Sequence, residues 1–246
     1  MTLKGWVKKY QEILDDFNYD KSREVKSAII LNSIISRKFS TRLLEAKIRN
    51  KIVFVVGAGP SLSSALPYLK KYKNITKIVA DGAARALIEN AIRPDIVITD
   101  LDGDLEYLRR AADSGSIMVV HGHGDNIRRL PYAILFRRCL GTTEERPFGN
   151  IKNFGGFTDG DRCVFLARHF RAKKIILFGM DFGKKIGMYS KEGRYNKSIK
   201  LKKLRWGKLL LEWLASANNS DLYTTSLSIR GFRKIRFECL ERLVST

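Results

Sequence analysis

The sequence predicts an α/β protein with a doubly wound, mostly parallel sheet and an N-terminal helical region. Three observations carry that expectation. From Lys51 onward, short apolar runs alternate with amphipathic stretches, the rhythm of strands joined by crossover helices. The first run, "KIVFVV", is apolar throughout, as a strand covered on both faces must be. The breaks "GAGPS", "ADGA", "TDLDGD", "HGHGDN", "GGFTDGD" and "FGMDFG" all fall at or near strand ends, and open sheets of this type bind ligands beyond the carboxyl ends of their strands.

Residues 3–17 and about 22–48 read as helices, because apolar residues recur there at three- and four-residue intervals with Lys and Arg between them. This divides the chain into a helical region, 1–50, and an α/β catalytic domain, 51–246. "KIVFVV" ends at "GAGPS", and a helix follows from Leu62 to Tyr72. "KIVA", "DIVIT" and "SIMVV" are the next strands, each followed by a polar break. "AILF" is the fifth, then a loop through "GTTEERPFGNIKNFGG" and a helix from Thr158 to Phe170. "KIILFGMDFG", an amphipathic helix over 199–217 and a short strand, "LYTTS", complete the pattern.

The chain carries 46 Lys+Arg against 25 Asp+Glu, a formal charge of +21. Residues 1–51 hold twelve basic against six acidic residues, and 184–246 hold fifteen against five. Such charge asks for an anionic partner, yet no helix-turn-helix, zinc-finger or RNA-binding sheet signature accompanies it. Solvated surface charge is therefore preferred to a nucleic-acid face. Cys139, Cys163 and Cys239 show no paired spacing and read as reduced thiols. No apolar run approaches the roughly 18–20 residues of a spanning helix, and "MTLKGWVKKYQEILDDF" lacks a signal peptide's apolar centre. A cytoplasmic protein without membrane contact is expected; whether copies pair is left open.

Against that basic background the acidic groups gather at the strand ends. In "DIVITDLDGD", Asp95 begins the strand after Pro94, and Asp104 suits a cap on the next helix. Asp100 and Asp102 remain, two residues apart, and like charges that close need a cation. An EF-hand would place Gly and Glu where Leu105 and Ala111 stand, so Mg²⁺, held by one or two carboxylates plus substrate phosphates, fits better. Gly57, Gly59, Pro60 and Ser61 of "GAGPSL" suit phosphate contact at a helix start. Leu62 stands where a dinucleotide fingerprint has its third glycine, and no Gly-Lys-Ser/Thr follows. "HGHGDN" has Asn126 in place of the last His of a binuclear hydrolase box, and His169 is the one other histidine. Asp125 is either a further carboxylate or a cap. Thr158 or Asp159 caps a helix, Gly155 and Gly156 admit close backbone approach, and Asp181 ends another strand.

Taken together, "ADGAARAL", "RPDIVITDLDGD" and "FTDGDRCVFLA" resemble the corresponding stretches of thiamine pyrophosphokinases. With "GAGPSL", "HGHGDN" and "FGMDFG" added, residues 51–183 are more similar to archaeal 6-hydroxymethyl-7,8-dihydropterin pyrophosphokinases. The resemblance implies a Rossmann-like, thiamine-pyrophosphokinase-like fold. It also implies transfer of diphosphate from ATP to a reduced pterin with release of AMP, on the way to tetrahydromethanopterin or folate. It places Mg²⁺ on Asp100 and Asp102, with Asp81, Asp125, Asp159 and Asp161 around the nucleotide and acceptor. Asp81 and Gly82 join the glycine loop on the ATP side, and Asp125, Asn126, Gly156, Thr158, Asp161 and Asp181 are the acceptor-side candidates, with Phe157 beside them. Asp159 is the candidate proton acceptor, and Arg85, Arg93 or Lys184 would steady the leaving AMP. Thr99 and Gly103 replace the Gly and Ser of the thiamine branch, which argues against thiamine as acceptor. The alternatives are a metal-dependent nucleotide-sugar glycosyltransferase, which also uses an Asp-x-Asp pair, and a basic nucleic-acid-binding protein.

Overall fold

The computed structural model describes residues 3–35, 39–190, 196–217 and 221–245. Three helices come first: α1 (Trp6–Phe17), α2 (Lys21–Ile34) and α3 (Arg42–Ile48). Then β1 (Ile52–Val56), α4 (Leu62–Lys71), β2 (Thr76–Ala80), α5 (Asp81–Glu89), β3 (Ile96–Thr99), α6 (Leu105–Asp113) and β4 (Ile117–His121) alternate without interruption. After a 3-10 turn, Leu130–Leu135, come β5 (Cys139–Thr142), β6 (Ile151–Lys152), α7 (Asp159–His169) and β7 (Lys174–Phe178). The chain closes with α8 (Lys197–Ser216), β8 (Asp221–Thr224), β9 (Arg233–Lys234) and α9 (Leu240–Val244).

The strands form one parallel sheet in the order β6-β5-β4-β3-β2-β1-β7-β8-β9. Chain order therefore runs outward from β1 in one direction and then, from β7, in the other. The two series meet between β1 and β7, the switch point where the crossing connections diverge and open a crevice. The pleat sends successive side chains to opposite faces. Val53 and Val55 enter one core with α1, α3, α7 and α8, while Phe54 and Val56 enter the other with α4, α5 and α6. α1 adds Trp6, Tyr10, Ile13 and Leu14 to the first core. Burying each such apolar side chain contributes about 1.5–3 kcal/mol. Among the described residues no helix is long and apolar enough to cross a membrane, and all three cysteines are free.

Two expectations need correction. The helix expected over 22–48 is broken: Ile35 leaves helical geometry and its carbonyl accepts from Asn150 Nδ2 at 3.2 Å, and a new helix starts at Arg42. "AILF" is no strand. A 3-10 turn, Leu130–Leu135, with Pro131 in its first turn takes its place; Ala133 and Phe136 are buried while Ile134 is 76% exposed, so the run is not the continuously buried strand its composition suggested. The fifth strand is instead "CLGT", whose Cys139–Thr142 pairs with Met118–His121.

Candidate active site

Four aspartates meet above the carboxyl ends of β2 and β3. Asp81 opens α5, Asp100 and Asp102 follow β3, and Asp159 opens α7. Each offers a carboxylate oxygen, and these atoms all lie within 4.8 Å of one another. Two helix N-termini thus point at the cluster, which favours negative charge. Repulsion still shows. Asp81 is pushed up to about 7 by burial, then by Asp100 and Asp102. Asp159 rises well above the carboxylate range through burial and Asp100. Burial also works against Asp100, but the hydrogen bond and charge of His123 outweigh it and hold its pKa low. An all-oxygen donor set at this spacing suits a hard divalent cation.

The loop after β3 is held in an unusual shape so that both of its aspartates serve. Leu101 adopts φ +66, left-handed backbone that costs about 1–3 kcal/mol in a non-glycine residue. Its side chain is fully buried, its N–H donates to Thr99 Oγ1 at 2.7 Å, and its carbonyl accepts from Arg129 at 2.6 Å. Thr99 Oγ1 in turn donates to Asp81 Oδ2 at 2.5 Å. Gly103 is required for contact: a Cβ there would lie 1.9 Å from Asp81 Oδ1. Gly103→Ala is therefore expected to displace Asp81 and lower kcat by about 10²-fold, with far-ultraviolet circular dichroism unchanged; full activity in the variant would contradict this placement.

Beside β4 and β5 lies a second, mixed-charge group. His123 Nε2 is 3.3 Å from Asp100 Oδ2. Buried Glu144 contacts both His121 and Arg162, and Arg162 also reaches Asp159 Oδ1 at 3.4 Å. Burial opposes the charge on Glu144, yet His121 and Arg162 bring it down to about 2. His121 is lowered to about 4 by burial and by Arg162. A neutral His121, an ionised Glu144 and a charged Arg162 therefore brace the cluster from below. Asn126 belongs to this scaffold. It is buried, and its Nδ2 donates to the carbonyls of Asp100 at 2.7 Å and His121 at 2.6 Å. It joins the ends of β3 and β4 and does not face the cleft, contrary to its expected role in acceptor binding.

On the other flank, Gly57 and Gly59 line the cleft beside Ala58, Gly82 and Asp181. The expected phosphate cradle of loop amides is not built. Gly57 N–H donates to Phe178 O at 2.9 Å, Gly59 N–H to Gly179 O at 2.8 Å and Ser61 N–H to Asp181 Oδ2 at 2.8 Å. Those donors are spent on joining β1 to β7. A Cβ on Gly59 would sit 2.6 Å from Gly179 O, so this glycine permits that contact. Pro60 is exposed and Ser61 ties Asp181 to Ser226; neither lines the cleft.

Other candidates also move. Asp161 is fully buried and completes a capping box with Thr158, its Oδ2 accepting from Phe157 N at 2.9 Å. Thr158 remains at the cleft; Asp161 shapes the turn behind it. Gly156 packs on the backbone of Arg162. Asp125 is exposed and outside the cleft lining. Arg93 lies at the amino end of β3, bonded to Ser114 O at 3.4 Å, on the wrong edge of the sheet to meet AMP. Arg85 pairs with Glu89, and Lys184 is exposed and outside the main cleft. Among the described residues, the cations that do line it are Arg162, Lys185, Lys200 and Lys203, joined by Tyr10, Tyr19, Glu24, His123 and Glu144. None of these was a candidate, although His123 in "HGHGDN" and Arg162 in "FTDGDRCVFLA" stand inside the motifs that carry the site.

A doubly wound parallel α/β fold with a carboxylate-lined cleft over its strand ends places the chain among proteins that bind ligand at that edge. Residues 28–187 match the family model described as 6-hydroxymethylpterin diphosphokinase MptE-like, and the chain belongs to that family. It is 43% identical over 231 residues to the 6-hydroxymethyl-7,8-dihydropterin pyrophosphokinase of Methanocaldococcus jannaschii, covering 87% of this chain and 96% of that one. The protein of the same name from Methanothermobacter thermautotrophicus is 39% identical over 224 residues, covering 87% and 95%. Among solved structures, the MAf glycosyltransferase of Magnetospirillum magneticum AMB-1 superposes with a TM-score of 0.59 at 16% identity, covering 87% of this chain and 38% of that one. That likeness is one of fold alone.

Proposed function

We propose that this protein transfers the terminal diphosphate of ATP to the hydroxymethyl group of 6-hydroxymethyl-7,8-dihydropterin. The acceptor oxygen bonds to the β-phosphorus, the bridge between the α- and β-phosphorus breaks, and AMP leaves with the bridging oxygen. The observation that carries this reading is the convergence of Asp81, Asp100, Asp102 and Asp159 within 4.8 Å. Membership in a diphosphokinase family supports it.

Phosphoryl-type transfer asks a protein mainly for positioning and charge stabilisation. Asp81, Asp100 and Asp102 would hold a divalent cation, taken here as Mg²⁺. When bound it would offset phosphate charge and polarise the β-phosphoryl group. Asp159, at the start of α7 beside the cluster, is suited to accept the hydroxyl proton once a bound cation has displaced its own, and Arg162, 3.4 Å from its Oδ1, steadies the charge that changes there. Lys185 and Lys200 face the cleft and meet the polyphosphate, while Lys203 stands by Tyr19 and Phe157. Asp104, the N-cap of α6 through its bond to Glu106 N, takes no part.

The test is direct. Incubation with ATP, MgCl₂ and 6-hydroxymethyl-7,8-dihydropterin should yield AMP and the pterin diphosphate in equal amounts, resolved by chromatography. Formation of ADP instead, or unconsumed ATP, would overturn the reading.

A further inference from the structure

Glu24 is a buried acid that the reaction above leaves without a task. It stands on α2, is 5% exposed, and lines the cleft with Tyr10, Tyr19 and Phe157. Among the described residues its buried Oε2 has no hydrogen-bond partner, while a backbone hydrogen bond from Gly124 reaches the same carboxyl group. Next to it, Arg23 Nη2 donates to Gly124 O at 2.8 Å, so α2 is fastened to the loop after β4 at this point. A carboxylate oxygen kept from water with no donor is unfavourable. Such a group persists where a ligand completes it.

Its position along the sheet edge decides which ligand. Gly57 and Gly59 follow β1, Asp81 follows β2, Asp100 and Asp102 follow β3, and the loop that touches Glu24 follows β4. Neighbouring strands lie about 4.8 Å apart, so three steps put Glu24 roughly 14 Å from the glycine loop. The carboxylate cluster stands between the two. With ATP on the β1–β7 side and its diphosphate over the cluster, the acceptor occupies the β4–β5 side. That end is aromatic: the Tyr19 and Phe157 ring centroids are 6.5 Å apart, and Lys203 Nζ is 5.9 Å from each.

We propose that Glu24 recognises the 2-amino-4-oxo edge of the pterin, its carboxylate accepting the adjacent N3–H and 2-NH₂ donors while Tyr19 and Phe157 cover the ring. A carboxylate is the side chain that matches two parallel donors, and such paired bonds are strong when the acceptor is charged. The assignment rests on the proposed reaction, and it concerns a residue that precedes the segment matched by the family, 28–187.

The experiment compares wild type with Glu24→Gln and Glu24→Asp, varying pterin and ATP separately. In Glu24→Gln the KM for pterin should rise by about 10-fold or more, while the KM for ATP moves by less than about twofold. Wild type should discriminate against an N3-methylated acceptor by about 100-fold or more, and Glu24→Gln should lose most of that discrimination. Wild type that uses the N3-methylated acceptor as well as the parent overturns the assignment, whether or not the variants fold. An unmoved pterin KM in folded Glu24→Gln overturns it as well. Failure of the reaction itself is distinguishable: a fluorescence titration of pterin without ATP still reads binding in wild type, and its loss in Glu24→Gln.

Discussion

Asp100→Asn and Asp102→Asn should each lower kcat/KM for diphosphate transfer by about 10³-fold or more, and neither should unfold the protein. The first effect follows from removing a charged oxygen from a four-carboxylate cluster. The second follows from the repulsion in it. Asp100 and Asp102 are, after burial, the forces that push Asp81 up to about 7. Neutralising Asp102 relieves Asp81, so the melting temperature of Asp102→Asn without added metal should rise or stay level, whereas Asp100→Asn also gives up its pairing with His123 and should melt slightly lower. Loss of activity together with a large fall in melting temperature would mean that these groups serve the fold. Asp104→Asn, at the cap of α6, is the control and should leave the rate within about twofold, since Asn caps as well as Asp.

The metal-free protein should lose stability as pH rises, and a divalent cation should restore it. Asp81 titrates near 3.8 in an unfolded chain and at about 7 in the fold; Glu24 moves from 4.5 to about 7, through burial and then Glu144. Between those values the folded state keeps protons that the unfolded state has released, so stability falls with increasing pH across that window. His121, lowered from 6.5 to about 4, works in the opposite sense below that upper value, so the fall is clearest above it. A cation on the cluster prefers ionised Asp81 and competes with its proton. Thermal melts with and without MgCl₂ should therefore show a larger gain at about pH 8 than at about pH 6. An equal gain at both pH values would count against Asp81 as a ligand. The same slope persisting in Asp81→Asn and Glu24→Gln would count against both assignments.

Asp100 and Asp102 were legible in the sequence because a short apolar run announces a strand end, and two acids beyond it have nowhere neutral to go. Asp81 was legible for the same reason, whereas Asp159 read locally as a helix cap and was set at the site by the family resemblance. Asp95 and Asp104 also fell where local chemistry puts them: Asp95 pairs with Lys47 at 2.8 Å, and Asp104 caps α6. Glu24 was not legible, since a Glu among Lys and Arg on an amphipathic helix resembles a solvated face. Its burial arises only when α2 meets the loop after β4. Glu144 lay in a polar loop, and nothing local predicts that Arg162 and His121 close on it. Asn126 carried a signal of the wrong kind: an amide after a strand suits a ligand or a scaffold equally, and its two bonds to the carbonyls of Asp100 and His121 decide for the scaffold. "AILF" and "CLGT" differ likewise. Apolar content favoured the first as a strand, whereas pairing with β4 selected the second.

The helices that carry Tyr10 and Glu24 come from the start of the chain and lean on the sheet from outside it, whereas the aspartates belong to strand ends and crossover helices. If Glu24 reads the acceptor as proposed, phosphate chemistry and most of the acceptor choice are written in separate stretches of polypeptide, with Phe157, beside Asp159, the exception. A descendant could exchange its acceptor by altering α1 and α2 while the strand ends stayed as they are. On this architecture, a change of acceptor requires no new catalytic centre.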